Sequence, residues 1–432
     1  MNIIKQRWET MFKKIIFIFL LFIVMIPIFG NASITSLVKV GGKYYDTLED
    51  AIANASSNDI ITLISNVKLN NTLDINKTVN INLNGNDITS KEKVFLVKGG
   101  VLNLSGKGTI KELEPNYGAI MVIGSDDQNN SDYSIVNVGK DVTLEGWSGI
   151  FVTHEKSKSY GIVVNLEGKI NAVDDTSGGE GIGVYVNGNI KHQNNSPVIN
   201  IKDDAYIVST GNGLYIAGYT TVNIGESYIS GVESGIGIKA GKLNIDGATV
   251  IGTGEDKTPT SGYNNGIKAS GTAIQIESNN GYAGNIELNI KSGNFKSKNS
   301  NVIYEYIGRG NNSLVKSIDV SGGSFISEAN KDVFRLSSEM KSVHNSFITG
   351  GQFSSNPNEY LEVGYTSSLD NDLYKVTKST MKSVSLDNAD VNSKGSSFIK
   401  WIIIFIVFIM SGILVYLNRI KLLKILKNNI KV

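Results

Sequence analysis

The sequence predicts an all-β chain: a right-handed parallel β-helix solenoid with an N-terminal α/β cap and a C-terminal transmembrane helix. Three observations carry this. A short apolar–Asn–apolar strand recurs down the chain at a minimal spacing of about 22 residues. Glycine is abundant (46) and proline scarce (5), a composition suited to many short strands and tight turns. A second, uncharged apolar run stands near the C-terminus with only cations after it.

The recurring strand centres on Asn82, Asn103, Asn137, Asn165, Asn200, Asn223, Asn244 and Asn289, with Asp319 in the same place one repeat later. Side chains alternate across a strand, so the two apolar neighbours of each Asn face inward and the Asn faces outward. Stacked outward amides can bond along a ladder, as in other parallel stacks. A first strand reads Gly–apolar–x–apolar, as in Gly149-Ile150-Phe151-Val152, Gly213-Leu214-Tyr215-Ile216 and Gly235-Ile236-Gly237-Ile238. A third strand follows a turn and carries Ile88, Ile110, Ile170, Ile229, Val250, Phe295 or Phe325. Irregular coil lengths favour a right-handed helix, since a left-handed one demands a strict hexapeptide. An antiparallel sandwich would not keep so long a register. The wide gap between Asn244 and Asn289 predicts an extra coil near 266–276.

The ends differ from the middle. Residues 1–32 hold a basic start, an apolar run over 15–29 and the small residues Gly30 and Ala32, the pattern of a secretory signal peptide cut before Ser33. Translation from Met11 would leave the same pattern, and an uncleaved anchor is the rival reading. Residues 33–75 read as the N-terminal cap, with a capping box at Thr47 and Asp50 opening a short helix. The parallel β-helix is expected over 76–378, a flexible linker over 379–397, a transmembrane helix over 398–417 and a basic cytoplasmic tail over 418–432. The tail's interleaved Lys and apolar residues suit a helix on the inner leaflet. The first 32 residues carry a net charge of +3 and residues 398–432 carry +6, which leaves −8 for the body of a chain whose total is +1. An acidic body argues against nucleic acid as a partner. The chain has no Cys, so disulfides and thiolate metal sites are excluded.

Residues 44–90, with Tyr45-x-Thr47-Leu48-x-Asp50-Ala51-Ile52 and Asp59-Ile60-Ile61-Thr62-Leu63, resemble the opening of bacterial surface β-helix domains. The close is similar, through Gly350-Gly351-Gln352-Phe353 and Tyr360-Leu361. Over roughly residues 40–378 the chain resembles the pectin-lyase-like β-helix superfamily, in its non-catalytic cell-surface and adhesin-like branch. That superfamily hosts both polysaccharide-cleaving enzymes and binding proteins, so the resemblance speaks for fold more than for function.

The catalytic sets of those enzymes are not found. The one Arg-Ile-Lys, Arg419-Ile420-Lys421, falls in the expected cytoplasmic tail, and the body has two Arg, Arg309 and Arg335. The pairs Asp174-Asp175 and Asp203-Asp204 offer oxygens for Ca²⁺, although paired Asp residues more often build solvated turns. His154 and His192 follow first strands in adjacent coils, where they would stack and bind a metal or titrate near neutrality, with two exposed loop histidines as the alternative. The extra residues of the long coils (126–132, 154–160, 191–196, 278–284, 308–313 and 338–344) are all expected at one corner, between first and second strands. Recognition on a solenoid commonly sits on such loops. The expected ligand-binding side chains are Trp147, His154, Tyr160, His192, Tyr282, Tyr304, Tyr306 and Arg309, which can stack on sugars or peptides. The expectation is therefore a single-pass, membrane-anchored bacterial surface module that binds cell-wall or host glycans or matrix proteins without catalysis. A polysaccharide lyase or hydrolase with an atypical site, and a structural spacer, are the alternatives.

Overall fold

A computed structural model describes residues 37–129, 133–155, 158–257, 271–282 and 284–379. The expected signal peptide, the transmembrane helix, the basic tail and all of the linker but Ser379 lie outside the described residues. Among the described residues no helix is long and apolar enough to cross a membrane.

The chain is mostly β, built of parallel strands stacked coil on coil as in a β-helix or solenoid. Ten first strands, from Leu73–Ile75 to Phe334–Arg335, pair each with the next in one parallel sheet. Second and third strands run as two adjacent ladders of a larger sheet. The second ladder starts at Ile60–Leu63, which pairs in parallel with Thr78–Asn82, inside the stretch read as the cap. It runs out through single parallel bridges, from Val320 to Ile348 and from Ile348 to Leu361. Ahead of it, Val38–Val40 pairs antiparallel with Lys43–Tyr45 and with Ile60–Leu63. The helix Leu48–Asn54 follows, and the Thr47 hydroxyl accepts its Asp50 N–H at 3.1 Å. At the far end, the hairpin of Tyr365–Asp370 and Leu373–Lys378 pairs antiparallel with Gly351–Phe353.

Inward columns fill the core. Ile88, Ile110, Ile170, Ile229, Val250, Phe295 and Phe325 all lie on the third strands and are buried, as the pattern predicted. Each such side chain contributes about 1.5–3 kcal/mol on burial. The glycine of Gly–apolar–x–apolar has a packing reason. A Cβ at Gly213 would stand 2.6 Å from the Ile229 methyl, and one at Gly149 2.6 Å from that of Ile170. The corner is closed by a third-strand side chain lying over a bare backbone.

The Asn ladder forms, with a correction at its first rung. Asn103 pairs with Asn80, not Asn82. Asn103, Asn137, Asn165, Asn200, Asn223, Asn244 and Asn289 each donate a side-chain N–H to the Oδ1 of the preceding Asn, at 2.6–2.9 Å. Asn80 closes the row by donating to the carbonyls of Ser57 and Asp59. Asn82 lies one alternation further on and accepts only the Asn84 N–H. Asp319 is in register with Asn289.

Among the described residues no extra coil forms near 266–276. The strand Thr272–Asn279 pairs directly with Ser234–Ile238 on one side and Ile303–Arg309 on the other. The added length lies between a third strand, which ends at Gly252, and this first strand. Extra residues therefore collect at two corners, since 113–119 and 173–181 also join third to first strands.

Candidate functional site: the outer face of the first-strand sheet

Alternation sends one residue of each first strand outward, and parallel register aligns them. The column runs Asp74, Leu96, Met121, Phe151, Tyr185, Tyr215, Gly237, Gln275, Tyr304 and Arg335. Its middle is aromatic. The Phe151 and Tyr185 rings meet edge to face at 4.7 Å, and Tyr185 stacks on Tyr215 at 5.1 Å.

Trp147 joins this run. It lies before its first strand, half-buried against Phe151 and Tyr185, and is not on the expected corner loop. Two bonds set its pose. Its backbone N–H donates to the buried Glu112 carboxylate at 3.2 Å, and its indole N–H donates to the Glu180 carbonyl at 3.1 Å. Burial, with a smaller contribution from Tyr282, pushes the Tyr185 hydroxyl up to about 12.

Where the coils at Tyr215 and Gly237 have bare turns, the loop after Thr272–Asn279 folds back over them. Tyr282 on this loop reaches Gly188, where an added Cβ would collide with its ring. A cleft of about 420 Å³ opens there, with Tyr185 and Tyr215 below and Asn187, Asn279, Tyr282 and Arg309 around it. Beneath Tyr282, Lys239 and Glu277 form an ion pair at 2.6 Å with only 3% and 1% of their side chains exposed. Lys239 also lies over the rings of Tyr215 and Tyr282.

Tyr304 and Tyr306 stand on the strand itself and are buried, not displayed on a loop. The Tyr306 hydroxyl donates to Glu277 at 3.0 Å, and burial first, then that carboxylate, raises its pKa. Tyr304 carries the Arg335 guanidinium 4.4 Å above its ring. The structure thus gathers Trp147, Tyr282, Tyr304, Tyr306 and Arg309 along one face.

Tyr160, His154 and His192 behave otherwise. The His192 ring packs, tilted by 38°, against the buried Tyr160 at 3.9 Å and not on His154. Its Nε2 accepts the Ser159 N–H, and its pKa is lowered, chiefly by burial. This pair braces the chain at Ser159 and Tyr160. His154 has a buried Nδ1 without a hydrogen-bond partner.

The aspartate pairs do not come together. Asp175 caps its own turn, accepting the Ser177 and Gly179 N–H groups, in the third-to-first corner with Asp174. Asp203 accepts the Glu226 N–H and Asp204 pairs with Lys140, both in a second-to-third turn. Among the described residues no group of three or more His, Asp or Glu is gathered to hold a metal. The wider groove, about 710 Å³, lies along the Asn ladder, but its amides already bond one another and it holds no aromatic ring.

Phe151, Tyr185, Tyr215 and the Lys239–Glu277 pair were missed by the sequence reading. The signal for the first three was the outward x of Gly–apolar–x–apolar. No protein-family profile, curated protein or solved structure matches the chain.

Proposed function

We propose that the chain is a membrane-anchored bacterial surface protein that binds glycan on the outer face of its first-strand sheet and does not cleave it. In this reading it is a right-handed parallel β-helix of the pectin-lyase-like superfamily, in its non-catalytic branch. Residues 1–32 direct secretion, the segment before Ile60–Leu63 caps the first coil and 398–417 hold the solenoid outside the membrane. Three ladders per coil and the Gly and Asn patterns support the fold assignment. The observation that carries the binding assignment is the aromatic run Trp147–Phe151–Tyr185–Tyr215 leading into a cleft edged by amides and Arg309. Rings stack on the apolar faces of sugars while amides and a guanidinium take hydroxyl or acid groups.

The test uses the soluble fragment 33–397 against cell-wall glycans, host glycans and matrix proteins. Binding to one glycan class is expected, with at least a tenfold loss for a Tyr185→Ala, Arg309→Ala double variant that keeps its β circular dichroism. Binding that survives the double variant, or turnover of any polysaccharide in the panel, defeats the proposal.

A further inference from the structure

The buried carboxylate of Glu277 touches two nitrogens at once. One oxygen lies 2.6 Å from the Lys239 Nζ. The other accepts the side-chain N–H of Asn279 at 2.7 Å. Lys239 and Asn279 belong to neighbouring coils: Ile238 is in register with Ile276, one residue before Glu277. The Asn279 carbonyl oxygen is polarised in turn, since it accepts the Gly281 backbone N–H at 2.9 Å. Tyr215 and Tyr282 cover the amine at 5.1 and 4.8 Å.

An amine, a carboxamide and a bridging acid under aromatic rings are the parts of an amide-forming centre. We propose that Lys239 and Asn279 join in an intramolecular isopeptide bond, with Glu277 carrying the protons. The ammonium and the carboxylate touch at 2.6 Å, so a proton passes directly from Nζ to Glu277 as the reaction begins and frees the nitrogen lone pair. The Lys239 Nζ lone pair attacks Cγ of Asn279, and the C=O electron pair moves onto Oδ1. The Gly281 N–H points at that oxygen and stabilises the charge that develops there. Glu277, now protonated, gives its proton to the leaving nitrogen, on which it already lies. The attacking nitrogen then loses a proton to the same carboxylate. The C–N bond to Nδ2 breaks, one ammonia leaves, and one secondary amide remains. No oxidant, metal or cofactor is consumed.

The bond would tie the coil of Ser234–Ile238 to the next across the long interval 253–271. A chain without Cys would gain a covalent staple that no reductant opens. Asn279 also edges the cleft, but forming the bond requires no ligand there.

The experiment is peptide mass spectrometry on the full-length chain, purified in detergent and digested after denaturation. The expected result is a joined species holding Lys239 and Asn279, lighter than the two separate peptides by one ammonia. Glu277→Gln keeps the size but cannot carry a proton, and it retains only one of the two accepting oxygens, so it should give separate peptides, with circular dichroism checking that the β fold is kept. Lys239→Met, which removes the nucleophile, is the second variant and should also give them separate. Recovery of Lys239 and Asn279 on unjoined peptides from the unmutated chain overturns the proposal. A joined species in Glu277→Gln overturns the role given to Glu277.

Discussion

Replacing Asn80 with Ala, beside the control Asn82→Ala, tests the ladder at its first rung. Asn80 makes three hydrogen bonds: to the Ser57 carbonyl at 2.8 Å, to the Asp59 carbonyl at 3.0 Å, and from Asn103 at 2.7 Å. Asn82 makes one, accepting the Asn84 N–H at 2.9 Å. A neutral hydrogen bond contributes about 1 kcal/mol net, and water reaching a half-buried site returns part of the loss. The expected costs are about 2–3 kcal/mol for Asn80→Ala and about 1 kcal/mol or less for Asn82→Ala. A solenoid opens locally, so the measurement is native-state hydrogen exchange at Ile60–Leu63 and Thr78–Asn82. Protection there should fall about a hundredfold for Asn80→Ala and about fivefold for Asn82→Ala. Equal losses, or a larger one at Asn82, would refute the register.

Other outcomes follow from packing and burial. Gly213→Val should prevent soluble expression, because the new Cβ would stand 2.5 Å from the Gly235 carbonyl and 2.6 Å from Ile229. Phe325→Ala should cost about 3–5 kcal/mol in denaturant titration, since Phe325 stacks between Phe295 at 4.7 Å and Phe353 at 4.9 Å. Tyr185 should ionise near pH 12 in an ultraviolet titration. Its folded pKa lies above the unfolded value of 10.0, so its contribution to stability is full below that pH and lost as the pH rises towards 12. A Tyr185→Phe variant should lack that loss.

Much of the architecture was legible because each coil carries its own alternation. The third-strand residues from Ile88 to Phe325 follow from the turn-then-apolar spacing, and all are buried. Asn82 misled because Asn80, Asn82 and Asn84 alternate, so a slip of two residues keeps every side chain on its proper face. The extra coil near 266–276 was a reading of length alone. Parallel register shows one coil with its added residues at a different corner. The site was harder to see. Trp147 and Tyr282 were singled out as loop aromatics, yet they matter through contact with Tyr185 and Lys239, which local sequence does not display. Lys239 and Glu277 stand 38 residues apart in sequence and meet only through the parallel register of neighbouring coils.

The amide row also has a direction. Every Asn donates towards the N-terminus, so the row offers carbonyl oxygens at its growing end. A chain that folds from its N-terminus adds each new coil as a donor to an acceptor already in place. The Ser57 and Asp59 carbonyls start the series. Shortening the solenoid from its C-terminus removes donors one at a time and leaves the remaining bonds whole. Removing its first coil leaves the Asn80 N–H groups without those carbonyls, at the place where assembly begins. The ladder is thus a template read one way.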